Sequence, residues 1–306
     1  MARKEVRECY EDIMALMGFD DFKKMITRFL KKLDSSNSYS IDKASIPNLL
    51  LFAQHGSGIS TLCKSYTDFL YSAKAIDFCG RERYFEVKLE YTMPGDYLME
   101  IARLENAFSD YAGYNLYFKG IACIDITAWL GHALEKHFLE ILEYIACIND
   151  KCVVIFYAHI DNYEENKKDY EQMQQVISSI ISIELMMPRF PTPIELVELV
   201  ETHCNSNGYV LTKSAKVLLA DTIEEIASGA MFNGFKTIYK LCEDISYHTS
   251  TSDIVGKKSI SAKILSPFAK NSIYVKSASM QPNNETKKRI GFKINTEEKS
   301  HAERQL

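Results

Sequence analysis

Residues 53–61 read Ala53-Gln54-His55-Gly56-Ser57-Gly58-Ile59-Ser60-Thr61, and the fold turns on this stretch. It follows Ile46-Pro47-Asn48-Leu49-Leu50-Leu51-Phe52-Ala53, a short apolar run suited to a buried strand, and residues 61–75 beyond it have helical periodicity. A strand that breaks at glycines and opens straight into a helix is the setting of the phosphate-binding loop G-x-x-x-x-G-K-[ST]. There, backbone N–H groups and the helix N-terminus wrap the phosphates while the lysine meets their charge. Gly56, Gly58 and Ser60 fit that pattern, whereas Ala53 stands at the first glycine and Ile59 at the lysine. Two glycines and a serine also suit an ordinary strand-to-helix turn, so the surrounding sequence has to decide. An isoleucine in place of the lysine forfeits a charge-assisted contact worth about 1.5–3 kcal/mol, which lowers triphosphate affinity about tenfold or more. Lys64 lies one turn further into the helix, where its side chain is carried away from the loop.

Outward from the loop, apolar runs alternate with helical stretches. Residues 84–89, 120–125 and 152–157 read as strands, and residues 96–111 and 131–147 as helices. Strands alternating with helices of this length imply a mostly parallel sheet covered on both faces. Before the loop, residues 5–33 form helix, cap, helix, broken at Gly18-Phe19-Asp20-Asp21 with Asp20 as N-cap. After Pro188-Arg189-Phe190-Pro191-Thr192-Pro193 the pattern becomes helical only, over residues 194–203, 213–228 and 232–248, with a short helix near 259–265. The expected organisation is an N-terminal helical segment at 1–34, a P-loop α/β domain at 35–190, a helical lid at 191–266 and a largely disordered tail at 267–306.

The 306 residues are 46% apolar and carry a formal net charge of −5, which gives no basic footprint for a nucleic-acid backbone. No segment reaches the run of about 18 apolar residues that a membrane span needs, and the first residues lack an apolar leader, so a cytoplasmic protein is expected. The eight cysteines include no Cys-x-x-Cys pair and read as ordinary buried thiols.

The run Ile121-Ala122-Cys123-Ile124-Asp125-Ile126 has the form of a Walker B strand, with Asp125 placed to hold a Mg²⁺ shell. Asp125 suits equally well a capped strand end with no metal. The next position, where a glutamate would polarise the attacking water, is Ile126.

In order and spacing, residues 5–265 resemble the CbbX/CfxQ branch of AAA+ proteins, which includes the red-type rubisco activases and the stage V sporulation protein K group. Three segments carry the likeness. Ile13-Met14-Ala15-Leu16-Met17-Gly18-Phe19-Asp20-Asp21-Phe22-Lys23 is similar to the family's opening helix, and Cys152-Val153-Val154-Ile155-Phe156-Tyr157-Ala158-His159-Ile160-Asp161 to its sensor-1 strand. The most specific is the lid-like set Phe190-Pro191-Thr192-Pro193-Ile194-Glu195-Leu196-Val197-Glu198-Leu199-Val200, Asn207-Gly208-Tyr209-Val210-Leu211-Thr212 and Phe232-Asn233-Gly234. The resemblance implies an AAA+ fold. It also implies a nucleotide loop over Gly56, Ser57, Gly58, Ile59, Ser60 and Thr61, a metal position at Asp125, and assembly into a homo- or hetero-oligomeric ring with AAA+ homologues.

Carried over position by position, the active site of that branch is depleted. The arginine finger falls within residues 175–183, where Ser178 and Ser179 are the nearest matches and Arg189 lies a few residues late. Sensor 2 falls on Phe235, beside Lys236, and the aromatic pore loop falls on Ile101-Ala102-Arg103-Leu104. An arginine finger alone contributes about 10³–10⁵ in rate, so negligible hydrolysis is expected. No cofactor is expected beyond weak binding of Mg-ATP or ADP. The expected role is a pseudo-ATPase that acts as an interaction or regulatory subunit beside active AAA+ homologues; the alternative is a switch that holds ATP or ADP without turnover.

Other features read as structural. His132, His137 and His159 lack the spacing or carboxylate setting of a metal or catalytic site. Tyr111, Tyr114, Tyr117 and Phe118 read as core packing, and residues 164–169 as a solvated loop. The tail segment Lys287-Lys288-Arg289-Ile290-Gly291-Phe292-Lys293 is either plain tail or a docking element for a neighbouring subunit.

Overall fold

The computed structural model describes residues 2–35, 46–76, 78, 83–91, 97–112, 118–149, 152–160, 163–229, 231–251 and 259–279. Five strands form one parallel sheet: β1 (Asn48–Ala53), β2 (Tyr84–Lys88), β3 (Ile121–Asp125), β4 (Val153–His159) and β5 (Ile183–Met186), in the spatial order β2-β3-β4-β1-β5. β1 pairs with β4 from Leu49 opposite Ile155 to Ala53 opposite His159, so the ends of β1 and β4 lie side by side. The central strands are buried on both faces, which is why they read as unbroken apolar runs.

Alternate residues feed two apolar layers. Leu50, Phe52, Ala122, Ile124, Val154 and Phe156 pack against α4 (Tyr97–Ala112), α5 (Lys136–Asn149) and α6 (Tyr163–Ile180). Leu49, Leu51, Cys123, Ile155 and Tyr157 pack instead against α1 (Ala2–Ala15), α2 (Asp20–Ser35) and α3 (Ile59–Ser72). The loop after β1 therefore opens at the carboxyl edge of the sheet, where α3 leaves toward one face while the helices joined to the neighbouring β4 cover the other. In open α/β sheets this is the crevice that binds ligands.

A second unit follows, with its own apolar core of Leu196, Val200, Leu219, Ile223, Ile238, Leu241 and Ile245. It comprises α7 (Pro193–Ser206), α8 (Lys213–Ala227), α9 (Gly234–Thr251) and α10 (Ile273–Ser279), plus a two-residue parallel ladder of β6 (Val210–Leu211) with β7 (Ser259–Ile260). α7 starts with Pro193 at its head and a capping box in which Thr192 and Glu195 satisfy each other's backbone N–H.

Several local expectations are corrected. Asp20 is the first helical residue of α2 and not its cap, because the Lys23 N–H donates to the Phe19 carbonyl. Residues 164–169 are the exposed first turns of α6, with a kink at Asn166, and not a loop. The short helix expected near 259–265 is β7 followed by turns. The chain beyond 266 is packed at least as far as Val275: Phe268 and Val275 are buried, and Thr222 Oγ1 donates to the Phe268 carbonyl at 3.0 Å. Residues 280–306, with the 287–293 segment, lie outside the described residues.

The pore-loop counterpart at 101–104 lies within α4, where Leu104 is fully buried. Phe118 packs edge-on against Phe85 and Phe108 as expected, while Tyr114 and Tyr117 and the Tyr111 side chain lie outside what is described. Cys63, Cys123, Cys152, Cys204 and Cys242 are buried, Cys9 is half-buried and Cys147 is exposed. Among the described residues no helix is long and apolar enough to cross a membrane.

Candidate functional site: the loop after the first strand

Ala53 ends β1 fully buried, and the chain then turns through Gly56 and Gly58, both at positive φ (71° and 89°) that favours glycine. The Ser57 N–H donates to the Gln54 carbonyl at 3.2 Å, which closes the turn. Gly58 is the N-cap of α3 and offers no side-chain cap, so the first-turn N–H groups of Ile59, Ser60 and Thr61 face outward with no intrahelical acceptor. Backbone geometry of this kind is what a phosphate loop uses.

The side chains tell a different story. Ile59 is 5% exposed and belongs to the apolar layer that holds Phe19, Phe22 and Leu62, so the lysine position points into the core. Ser60 Oγ, at the position that would ligate Mg²⁺, donates to the Glu86 carboxylate at 3.1–3.2 Å. Glu86 lies on β2 between Phe85 and Val87, which face the other layer, so its own side chain is on the α3 side. The same carboxylate accepts from Tyr84 Oη at 2.8 Å and from Tyr157 Oη at 2.5 Å. Burial first, then in Tyr157 the hydrogen bond to Glu86, pushes both phenols well above the usual tyrosine range. An anion therefore already sits beside the first turn of α3, where a triphosphate would need a cation.

Asp125 ends β3 only 7% exposed, and its Oδ1 accepts from the Thr127 N–H at 2.9 Å and the Thr127 hydroxyl at 2.5 Å. That is the capped strand end allowed by the sequence. Thr127 Oγ1 in turn accepts from the His159 N–H at 3.0 Å, which ties β3 to the end of β4. Ile126 is fully buried. The His159 ring stacks on His55 of the loop, with centroids 3.9 Å apart and planes at 18°. Burial, followed by the charge of His55, lowers the His159 pKa. Taken together, the residues at the loop do not fit Mg-ATP as a phosphate loop normally holds it.

The second unit closes onto this loop through backbone. The Phe235 N–H donates to the Gly56 carbonyl at 2.9 Å, and the Phe235 ring lies against Gly58, 3.6 Å from where a methyl group on that glycine would be. Phe235 also packs on Phe190, whose ring meets Phe232 edge-on. Lys236 is exposed. Arg189 forms a bidentate pair with Glu195, 2.7 Å for each bond, and lies 3.5 Å from Asp20, so its guanidinium is committed to the start of α7. That pair holds the Glu195 carboxyl down to about 2. Ser178 and Ser179 are exposed near the end of α6, and Ser179 Oγ bonds back to the Val176 carbonyl. Lys64 is exposed on α3.

Away from the loop, the histidine expectation is revised: Glu135 lies 2.6 Å from His132 Nδ1 and 2.5 Å from His137 Nε2, and accepts from Tyr91 Oη at 3.1 Å. Its pKa is lowered, first by His132. Among the described residues no group of three or more His, Cys, Asp or Glu is placed to hold a metal ion. Sequence reasoning located Gly56, Gly58, Ile59, Ser60, Asp125 and Phe235. It missed Glu86, His55 and Tyr157, whose roles depend on contacts across strands; the alternation of Glu86 with the buried Phe85 and Val87, which sets it on the α3 side, was the one available signal.

No protein-family model matches the chain, and no curated protein matches it in sequence. Solved structures do align with it. The Holliday junction branch migration motor RuvB of Thermotoga maritima is 13% identical over 82% of this chain and 68% of that one, with a TM-score of 0.47. The DNA clamp loader delta protein of Bacillus subtilis is 13% identical over 72% and 57%, with a TM-score of 0.33. Hsp104 in its closed state with ATPγS and FITC-casein is 10% identical over 89% and 44%, with a TM-score of 0.45. The fold is a five-stranded parallel α/β sandwich in the order β2-β3-β4-β1-β5, with a loop-to-helix junction after β1, followed by a small helical domain.

Proposed function

We propose that the chain is a non-catalytic AAA+-type subunit, a pseudo-ATPase that uses the fold as an interaction or regulatory surface and assembles with active homologues of the CbbX/CfxQ kind. The observation that carries this reading is the commitment of the loop's chemistry to the chain's own groups. Ile59 is buried in the core, the Ser60 hydroxyl is held by Glu86, and Asp125 Oδ1 is held by Thr127. A site kept in this shape is internally bonded and not merely eroded, which supports a retained structural role over decay. Mixing the purified full chain with a catalytically competent homologue from the same genome tests it by sedimentation velocity. Co-migration in one assembly is the expected result; a chain that stays monomeric and separate overturns the reading.

A nucleotide-holding switch is the second reading. It is favoured by the uncapped first turn of α3. Calorimetric titration with Mg-ATP separates the two: a micromolar dissociation constant supports the switch, and no heat supports the interaction subunit.

A further inference from the structure

We propose that the helical domain is latched closed on the loop by a glycine-to-glycine backbone contact that needs no nucleotide. The junction is made by Asn233, Gly234 and Phe235 against Gly56. A methyl group on Gly234 would lie 2.5 Å from the Gly56 carbonyl oxygen and 2.7 Å from its Cα. A methyl group on Gly56 would lie 2.7 Å from the Asn233 carbonyl carbon and 2.8 Å from Gly234 Cα. Both glycines have positive φ, 71° and 51°, so each is shaped for the other twice over, by torsion and by clearance. The Phe235 N–H to Gly56 carbonyl bond closes the contact, and the Phe235 ring covers Gly58 from the same side.

The latch is independent of any charge that ATP would bring. The main chain of the second domain reaches the loop directly, through one hydrogen bond and the close fit of two uncharged glycines. Two further fastenings lie on the same hinge: Arg189 joins Glu195 to Asp20, and the Arg189 carbonyl crowds Gly18, at positive φ. The latch belongs to the chain's own conformational equilibrium, whether or not the chain joins a partner.

Hydrogen exchange of the full chain, read by mass spectrometry over residues 54–58 and 233–237, tests it. The latch predicts protection of both segments without nucleotide and no further protection on adding Mg-ATP. Gly234→Ala should speed exchange in both segments together, about tenfold or more, the scale expected when a hydrogen bond is lost and a clash gained. Gly56→Ala attacks the same contact from the other side and should reproduce the pair of changes. Gly208→Ala is the matched control: Gly208 also has positive φ, 81°, but no atom lies within 4 Å of a methyl placed there. It should leave both segments as they were, while far-UV circular dichroism reports that every variant keeps its helices. Uncoupled responses of the two segments to Gly234→Ala, an equal effect of Gly208→Ala, or protection that arises only with Mg-ATP would each overturn the latch.

Discussion

Restoring the missing cation is a demanding test of how the loop is built. Ile59 is 5% exposed and packs with Phe19, Phe22 and Leu62, so Ile59→Lys removes a nearly fully buried aliphatic side chain. Losing that burial costs about 1.5–3 kcal/mol. The ammonium that replaces it has to deprotonate in the apolar layer or drag its stem outward, which adds about 1–3 kcal/mol. A total of about 2.5–6 kcal/mol corresponds, at roughly 2–4 °C per kcal/mol for a unit of this size, to a fall of the order of 10 °C in the thermal midpoint. Nor does the cation complete a hydrolytic site, since Ser60 stays bonded to Glu86 and Ile126 offers no base. Differential scanning fluorimetry beside a phosphate-release assay reads both consequences. A variant that melts with the parent and turns over ATP would refute the argument, because it would mean that the position faces a ligand and not the core.

Glu86→Gln keeps the shape but removes the anion that accepts from Ser60, Tyr84 and Tyr157. The expected loss is about 1–3 kcal/mol in denaturant unfolding, since charged acceptors make the stronger bonds, and the tyrosinate absorbance should rise at lower pH than in the parent. Stability should also fall with acid in two windows. His159 has a lowered folded pKa, so as pH drops below the ordinary histidine value of about 6.5 the unfolded chain takes up the proton first and the folded state loses ground. Glu195, held near 2, is the depressed-carboxylate case: its contribution is present above the ordinary carboxylate pKa and is lost as pH falls from there toward about 2. Melts between pH 8 and 2 of the parent, His159→Gln and Glu195→Gln should lose the upper and lower windows respectively; a parent curve flat between pH 7 and 5 contradicts the histidine part.

The central strands were legible because sandwiching between two helical layers confines polar residues to the strand ends, Asn48 on β1 and Asp125 on β3. The edge strand β5 was not. Its four residues include exposed Glu184, and an edge has water on one side, so no apolar run marks it. The start of α6 was lost to its charge, although Tyr170, Met173 and Ile177 carry the helical spacing that buries its later turns. β7 exists only because Leu211 and Ile260 pair across a sequence gap, which local periodicity does not register. At the site, identity was legible and contact was not: Ile59 announced the absent cation, but that Glu86 answers Ser60, that His159 stacks on His55 and that Gly234 meets Gly56 are all facts of the third dimension.

Glu86 holds the head of α3 from β2, which among the described residues has a sheet neighbour on one side only. The anchorage of the loop thus rests on the least supported margin of the sheet. Displacing that margin would free the Ser60 hydroxyl while the inner strands stay in register, so the junction can slacken without the core giving way.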